Sequence, residues 1–111
     1  MHQFIPQSDR LWLANFHQCV EEQLHRADLT TDDLAKSMYY STRQLCRRVK
    51  HFTGQTPKAI LKKARLEKGY YYLKKGKYAT VARAANAVGF KDPVYFARQF
   101  QAEYGILPSK I

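Results

Sequence analysis

Residues 84–108 read AANAVGFKDPVYFARQFQAEYGILP. Gly89 supplies a turn, and Asp92-Pro93 is a helix cap followed by a first-turn proline. Phe96 and Phe100, four apart, share one helical face, and Gly105 stops the helix. A short last turn is expected from Leu107-Pro108. Arg98 sits among these apolar residues with no evident carboxylate to pair with, and that isolation asks for a partner outside the chain.

The same design occurs earlier. Ser41 and Asp92 are caps 51 residues apart (92 − 41). At that offset Leu45 meets Phe96, Arg47 meets Arg98, Val49 meets Phe100, Gly54 meets Gly105 and Pro57 meets Pro108. With the offset shortened by one, Leu34-Ala35 meets Ala84-Ala85 and Met38 meets Val88. The slip falls in the turn before the cap, where loops absorb length differences. Each copy has the outline of a helix-turn-helix: a small alanine where two helices touch, a turn residue four later, a cap, and a second helix with a free outer face. Tyr39 stands where Gly89 stands, so the first turn must differ in shape or carry strain.

The remaining pattern is helical. Ser8 is read as the cap of a first helix with Leu13, Phe16, Val20 and Leu24 on its apolar stripe. Thr30 or Thr31 caps the second, with Asp32 and Asp33 at its positive end and Leu34, Ala35 and Met38 inside. Thr56-Pro57 opens a long helix carrying Ile60, Leu61, Ala64, Tyr72 and Leu73 inward, and Gly76 ends it. Thr80 starts the next, with Val81, Ala84, Ala85 and Val88 inside. The expected fold is all-α, with about seven helices: one domain over 8–111, preceded by a tail or linker at 1–7. The first helix-turn-helix covers about 30–53, the linker helix 57–75 and the second unit 80–104.

Charge says what such a pair of units meets. Nineteen Lys and Arg face nine Asp and Glu, a net charge of +10. Six of the acids precede residue 40, whereas Arg43 to Lys77 holds twelve cations and one acid, Glu67. So polarised a small domain points to a polyanion, foremost nucleic acid. The second helix of such a unit lies in the DNA major groove, with residues near its N-terminus at base edges. Arg43, Gln44, Cys46 and Arg47 of the first unit, and Pro93, Val94 and Arg98 of the second, occupy base-facing positions. Arg reads guanine and Gln adenine bidentately, while Val94 and Ala97 offer methyl groups to thymine. Ser41, Thr42, Lys50, Lys62, Lys91 and Ala97 are assigned to the phosphate backbone. Residues 57–75 as one helix span about 28 Å at ~1.5 Å per residue. With the flanking motifs added, the two recognition helices can stand about one DNA turn, near 34 Å, apart.

The quoted stretch, together with LAKSMYYSTRQLCRRVKHFTGQTP at 34–57 and ARLEKGYYYL at 64–73, resembles the DNA-binding domain of the AraC/XylS transcriptional regulators. The resemblance runs from Leu13 to Pro108. It implies seven helices and transcriptional control, usually activation, through contact with RNA polymerase on a double-stranded DNA operator. It also implies a bacterial cytoplasmic setting at the nucleoid. The base-reading positions it implies are Arg43, Cys46, Arg47, Pro93, Val94 and Arg98. The chain departs at Val49, where an aromatic is usual, and at Gly69, where alanine is usual. The family domain continues past its last proline with an aromatic and an arginine. That difference leads to the expectation of a piece of a longer regulator whose N-terminal sensing or dimerisation domain lies elsewhere.

Other classes have weaker support. Eight tyrosines, including Tyr70-Tyr71-Tyr72, leave open an RNA-associated basic helical protein, and the basic helix leaves open a protein–protein interaction module. No Gly-rich phosphate loop, paired carboxylates or nucleophile with a base supports an enzyme or a cofactor. The histidines and the two cysteines lack zinc-ligand spacing, and no apolar run reaches membrane-spanning length. Cys46, beside Arg43, Arg47 and Lys50, reads as an inert small residue, with a redox-sensitive thiolate as the alternative.

Overall fold

The computed structural model describes residues 7–111, and every regular element among them is helical. The helices are α1 (Gln7–Gln23), α2 (Thr31–Ser37), α3 (Thr42–Thr53), α4 (Pro57–Lys75), α5 (Val81–Ala87) and α6 (Pro93–Tyr104), followed by a 3₁₀ turn at Pro108–Lys110. The tail assigned to residues 1–7 lies outside the described residues except for Gln7, which already belongs to α1. Ser8 is therefore inside the first turn rather than at the cap. Asp9, in that same turn, supplies the negative charge the helix N-terminus favours.

The other boundaries follow side-chain chemistry. Thr30, not Thr31, caps α2: its hydroxyl accepts the Asp33 N–H, and the Asp33 carboxylate accepts the Thr30 N–H. These Thr30 contacts hold the Asp33 carboxyl below its ordinary value. Ser41 and Gln44 form the same reciprocal box at α3. Thr56 and Thr80 cap α4 and α5 through the N–H groups of Ala59 and Arg83, and Asp92 caps α6 through the Val94 N–H.

One core runs through both units. Phe16, Val20 and Leu24 of α1 meet Leu34, Leu45 and Val49 of the first unit, Ile60, Leu61 and Leu66 of α4, and Val88, Phe96 and Phe100 of the second. The second unit is packed by aromatics, with Phe90 edge-on to Phe96 at 5.0 Å and Phe100 against Tyr104 at 4.7 Å. Gly69 makes room for this cluster: a Cβ there would stand 2.9 Å from the Phe96 ring. The smaller Leu45 and Val49 of the first unit are supplemented by α1. Trp12 stacks on Tyr40 at 5.8 Å and Phe16 at 6.0 Å, and lies against Phe52 at 6.0 Å.

Arg65 joins the parts. From the middle of α4 its Nε donates to the Leu24 carbonyl at 2.8 Å and its Nη2 to the Arg26 carbonyl at 2.6 Å, satisfying the end of α1 and the chain beyond it. Gly89 of the second unit's turn packs against the same place: a Cβ on it would meet the Leu24 carbonyl and lie 2.7 Å from Arg65 Nε. Burial lowers the Arg65 guanidinium from its ordinary value.

The two turns are alike in backbone and different in residue. Gly89 has φ +93° and Tyr39 has φ +61°, so the first unit adopts the left-handed turn with a tyrosine that is 95% exposed. A left-handed conformation costs an L-residue about 1–2 kcal/mol, part of which glycine's greater unfolded freedom offsets. Tyr39→Gly is expected to raise stability by about 0.5–1 kcal/mol. Gly89→Ala, which adds the Leu24 and Arg65 collision to the strain, is expected to lower it by more than about 2 kcal/mol. Urea denaturation of both variants measures the opposite signs; a destabilised Tyr39→Gly protein would show that the exposed ring makes contacts that matter.

Candidate nucleic-acid interface

Each recognition helix presents the face its buried side leaves over. Leu45 and Val49 turn α3 so that Arg43, Gln44, Arg47 and Lys50 are exposed and Cys46 is half-buried; Phe96 and Phe100 turn α6 so that Val94 and Arg98 are exposed and Pro93 and Ala97 half-buried. Arg43, Arg47 and Arg98 enter no ion pair among the described residues. Their guanidinium groups keep five donors each in a fork that suits a base edge or a phosphate.

Other assigned residues are already engaged. The Gln44 Oε1 accepts the Ser41 N–H at 3.0 Å, so bidentate reading of adenine requires the cap to open. Thr42 donates its hydroxyl to the Asp32 carboxylate, which leaves an acid beside a position assigned to phosphate. Lys50 Nζ bonds the Gly54 carbonyl at 3.0 Å, and Lys62 Nζ bonds Gln99 Oε1 at 3.0 Å, tying α4 to α6. Both lysine bonds are on the exposed surface, where a neutral acceptor contributes little net stability.

Two hollows gather the cations. One, of about 920 Å³, lies beside α3 and is lined by Gln44, Arg47, Arg48, Lys50 and His51, with Asp9 as its acid. The other, of about 710 Å³, lies between the units, with Lys58, Lys62, Arg65 and Lys91 around it and Asp92 as its acid. Lys62 and Lys91, from different elements, thus share one cleft, whereas Ser41, Thr42 and Lys50 belong to the α3 side.

Arg48 was missed by the sequence reading. Its guanidinium carbon stands 4.9 Å from the Trp12 ring centre, 5.6 Å from that of Phe52 and 5.9 Å from that of Tyr40. The preceding residue, Arg47, has no ion-pair partner among the described residues. A basic residue one step from a position assigned to base reading gives no local sign that it faces α1, and only the contact with Trp12 across the fold reveals it. Cys19 is buried and Cys46 half-buried, both are free thiols, and no cluster of possible metal ligands occurs among the described residues. None of the described helices is long and apolar enough to cross a membrane.

Comparison with known proteins agrees with this geometry. A family model described as "Helix-turn-helix domain" matches residues 34–111. The transcriptional activator NphR of a Rhodococcus species is 32% identical over 96 residues, covering 86% of this chain and 28% of that protein. The HTH-type transcriptional regulator MtrA of Neisseria gonorrhoeae is 33% identical over 79 residues, 71% of this chain and 26% of its own length. The chain thus spans under a third of these relatives. Among solved structures, the DNA-binding domain of AdpA in complex with a target DNA superposes with a TM-score of 0.79 at 28% identity, over 88% of this chain and 86% of that one. An AraC-type regulator from Chromobacterium violaceum has the same fold, with a TM-score of 0.83 at 23% identity over 95% and 92% of the two chains.

The Trp12–Arg48 contact makes a distinction that can be measured. The Arg48 Nη2 to Asp9 distance of 3.5 Å is at the limit of a hydrogen bond, and both groups keep solvent contact. Trp12→Ala should destabilise the fold by about 2–4 kcal/mol, and Asp9→Asn by under about 1 kcal/mol. Equal losses in chemical denaturation would assign the attachment of α1 to charge rather than stacking.

Proposed function

This chain is a DNA-binding domain of the AraC-type helix-turn-helix family of transcriptional regulators, and we propose that it reads one asymmetric duplex site as a monomer, with α3 and α6 in successive major grooves. The family is one of transcription-factor domains rather than enzymes. The observation that carries the reading is the matched pair Arg47 and Arg98, each exposed, without an ion-pair partner among the described residues, and on the outer face of a second helix whose inner face is fully buried.

In this reading Arg43 and Arg47 contact base edges from α3, with Cys46 against the groove wall and Gln44 joining if its cap opens. Arg98 is the hydrogen-bonding reader of α6, beside the methyl surfaces of Val94, Pro93 and Ala97. Lys62 and Lys91 hold the backbone at the cleft between the units, and Ser41, Thr42 and Lys50 hold it beside α3. The rigid α4, one helix of 19 residues, sets the distance between the readers. The same reading assigns the domain to bacterial cytoplasm, where it regulates transcription through contact with RNA polymerase as the output part of a longer sensor-regulator. The RNA-binding alternative draws no support from Tyr70, which stacks on Phe100 at 5.8 Å and lies 4.9 Å from Tyr104.

Base contacts and phosphate contacts fail differently. Arg47→Ala should weaken binding to a duplex selected from a random pool by about 1–3 kcal/mol, with little change on random duplex. Lys62→Ala should weaken both alike and reduce the salt slope by roughly 1. Fluorescence anisotropy at several salt concentrations measures both, and equal losses of Arg47→Ala on the two duplexes would remove it from the base-reading set.

A further inference from the structure

A basic and aromatic surface at the far end of α4 takes no part in either recognition helix. Lys74, Lys75 and Lys77 are exposed around Gly76, which ends α4. Lys75 Nζ stands 5.8 Å from the ring centre of Tyr71, itself 55% exposed. Lys77 Nζ stands 4.8 Å from that of Tyr72 and 5.9 Å from that of Tyr78. None of the three lysines pairs with an acid among the described residues; Lys68, about two turns earlier in α4, is answered by Glu21 at 3.5 Å.

The internal repeat gives this surface a control. The caps Thr30 and Thr80 are 50 residues apart (80 − 30), so Lys77 and Tyr78 before the second unit correspond to Ala27 and Asp28 before the first. There the cation is Arg26, and it is neutralised by Asp28 at 3.5 Å and Asp33 at 3.6 Å. The approach to the first unit is thus charge-balanced and the approach to the second is an uncompensated cluster of cations. The recognition helices divide the opposite way, since α3 exposes Arg43, Arg47 and Lys50 whereas α6 exposes Arg98 beside Val94, Pro93 and Ala97.

We infer that the surface formed by Tyr71, Tyr72, Lys74, Lys75, Lys77 and Tyr78 is a backbone clamp that grips the duplex phosphates flanking the second unit's half-site. The first helix of a helix-turn-helix crosses the DNA backbone, and α5, that helix in the second unit, is capped by Thr80, three residues after Lys77. Lysines resting on tyrosine rings are partly ordered before binding and lose less side-chain freedom when they meet phosphate. The first unit then supplies most of the sequence discrimination and the second most of the hold. This assignment rests on the duplex reading proposed above.

The test compares wild type with a K74Q/K75Q/K77Q variant, checked for unchanged helicity and melting temperature, on a selected and a random duplex across a salt series. A Lys→Arg triple variant serves as the charge-retaining control. The clamp predicts that the Gln variant lowers the salt slope by roughly 2–3, at about 0.9 per lost phosphate contact, on both duplexes alike, while the Arg variant keeps it. Trimming the flank beyond the second half-site should weaken wild type and leave the Gln variant unaffected. An unchanged slope with the same flank dependence would overturn the clamp and leave this surface to an acidic protein. A wild type that binds selected and random duplexes equally would instead defeat the base-reading proposal, and the slope comparison would still decide the clamp.

Discussion

The guanidinium of Arg65 is the contact on which the arrangement of the two units depends. It reaches from the middle of α4 to the carbonyls of Leu24 and Arg26, and the turn at Gly89 closes over it. The end of α1, the bridging helix and the second unit are fixed at one point as a result. Close approach of backbone to backbone is possible there because Gly89 carries no side chain, and its φ of +93° suits glycine for the same reason. A charged side chain is more often exposed; here, where the helical units meet, it is half-buried and satisfied by main-chain oxygens, so it positions without needing a carboxylate.

Much of this was legible in the sequence because caps, turns and helical spacing are local. Ser41, Thr56, Thr80 and Asp92 mark helix starts, and Gly54, Gly76 and Gly105 mark the ends. The repeat at a fixed offset exposed both units and the strained turn at Tyr39. What was not legible is long-range. Ser8 looked like a cap because nothing local distinguishes it from a polar residue in a first turn. Gly69 stood out only as a departure from the usual alanine, and the Phe96 ring beside it shows why a side chain does not fit. Arg48 and Arg65 read as two more cations of a basic stretch, and both prove to be architectural through partners about 40 residues away.

The exposed faces were legible, their side-chain pairings less so. Periodicity picked the outer faces of α3 and α6 correctly, since those faces are what burial of Leu45, Val49, Phe96 and Phe100 leaves free. Periodicity could not show that Gln44 and Thr42 are bound to Ser41 and Asp32, because such pairings depend on rotamers and on a neighbouring helix. The units also differ in what holds them: an aromatic stack supports α6, whereas Trp12 from α1, lying under the guanidinium of α3's own Arg48, supports α3. Two copies of one motif are therefore held in place by different contacts on a common frame.

The central claim is that a single chain places two readers in neighbouring major grooves. Methylation-interference mapping on a duplex selected from a random pool tests it directly. Two windows of guanine sensitivity are expected on one face, about 10–10.5 base pairs apart, of unequal strength. A single window, or two on opposite faces of the duplex, would contradict it.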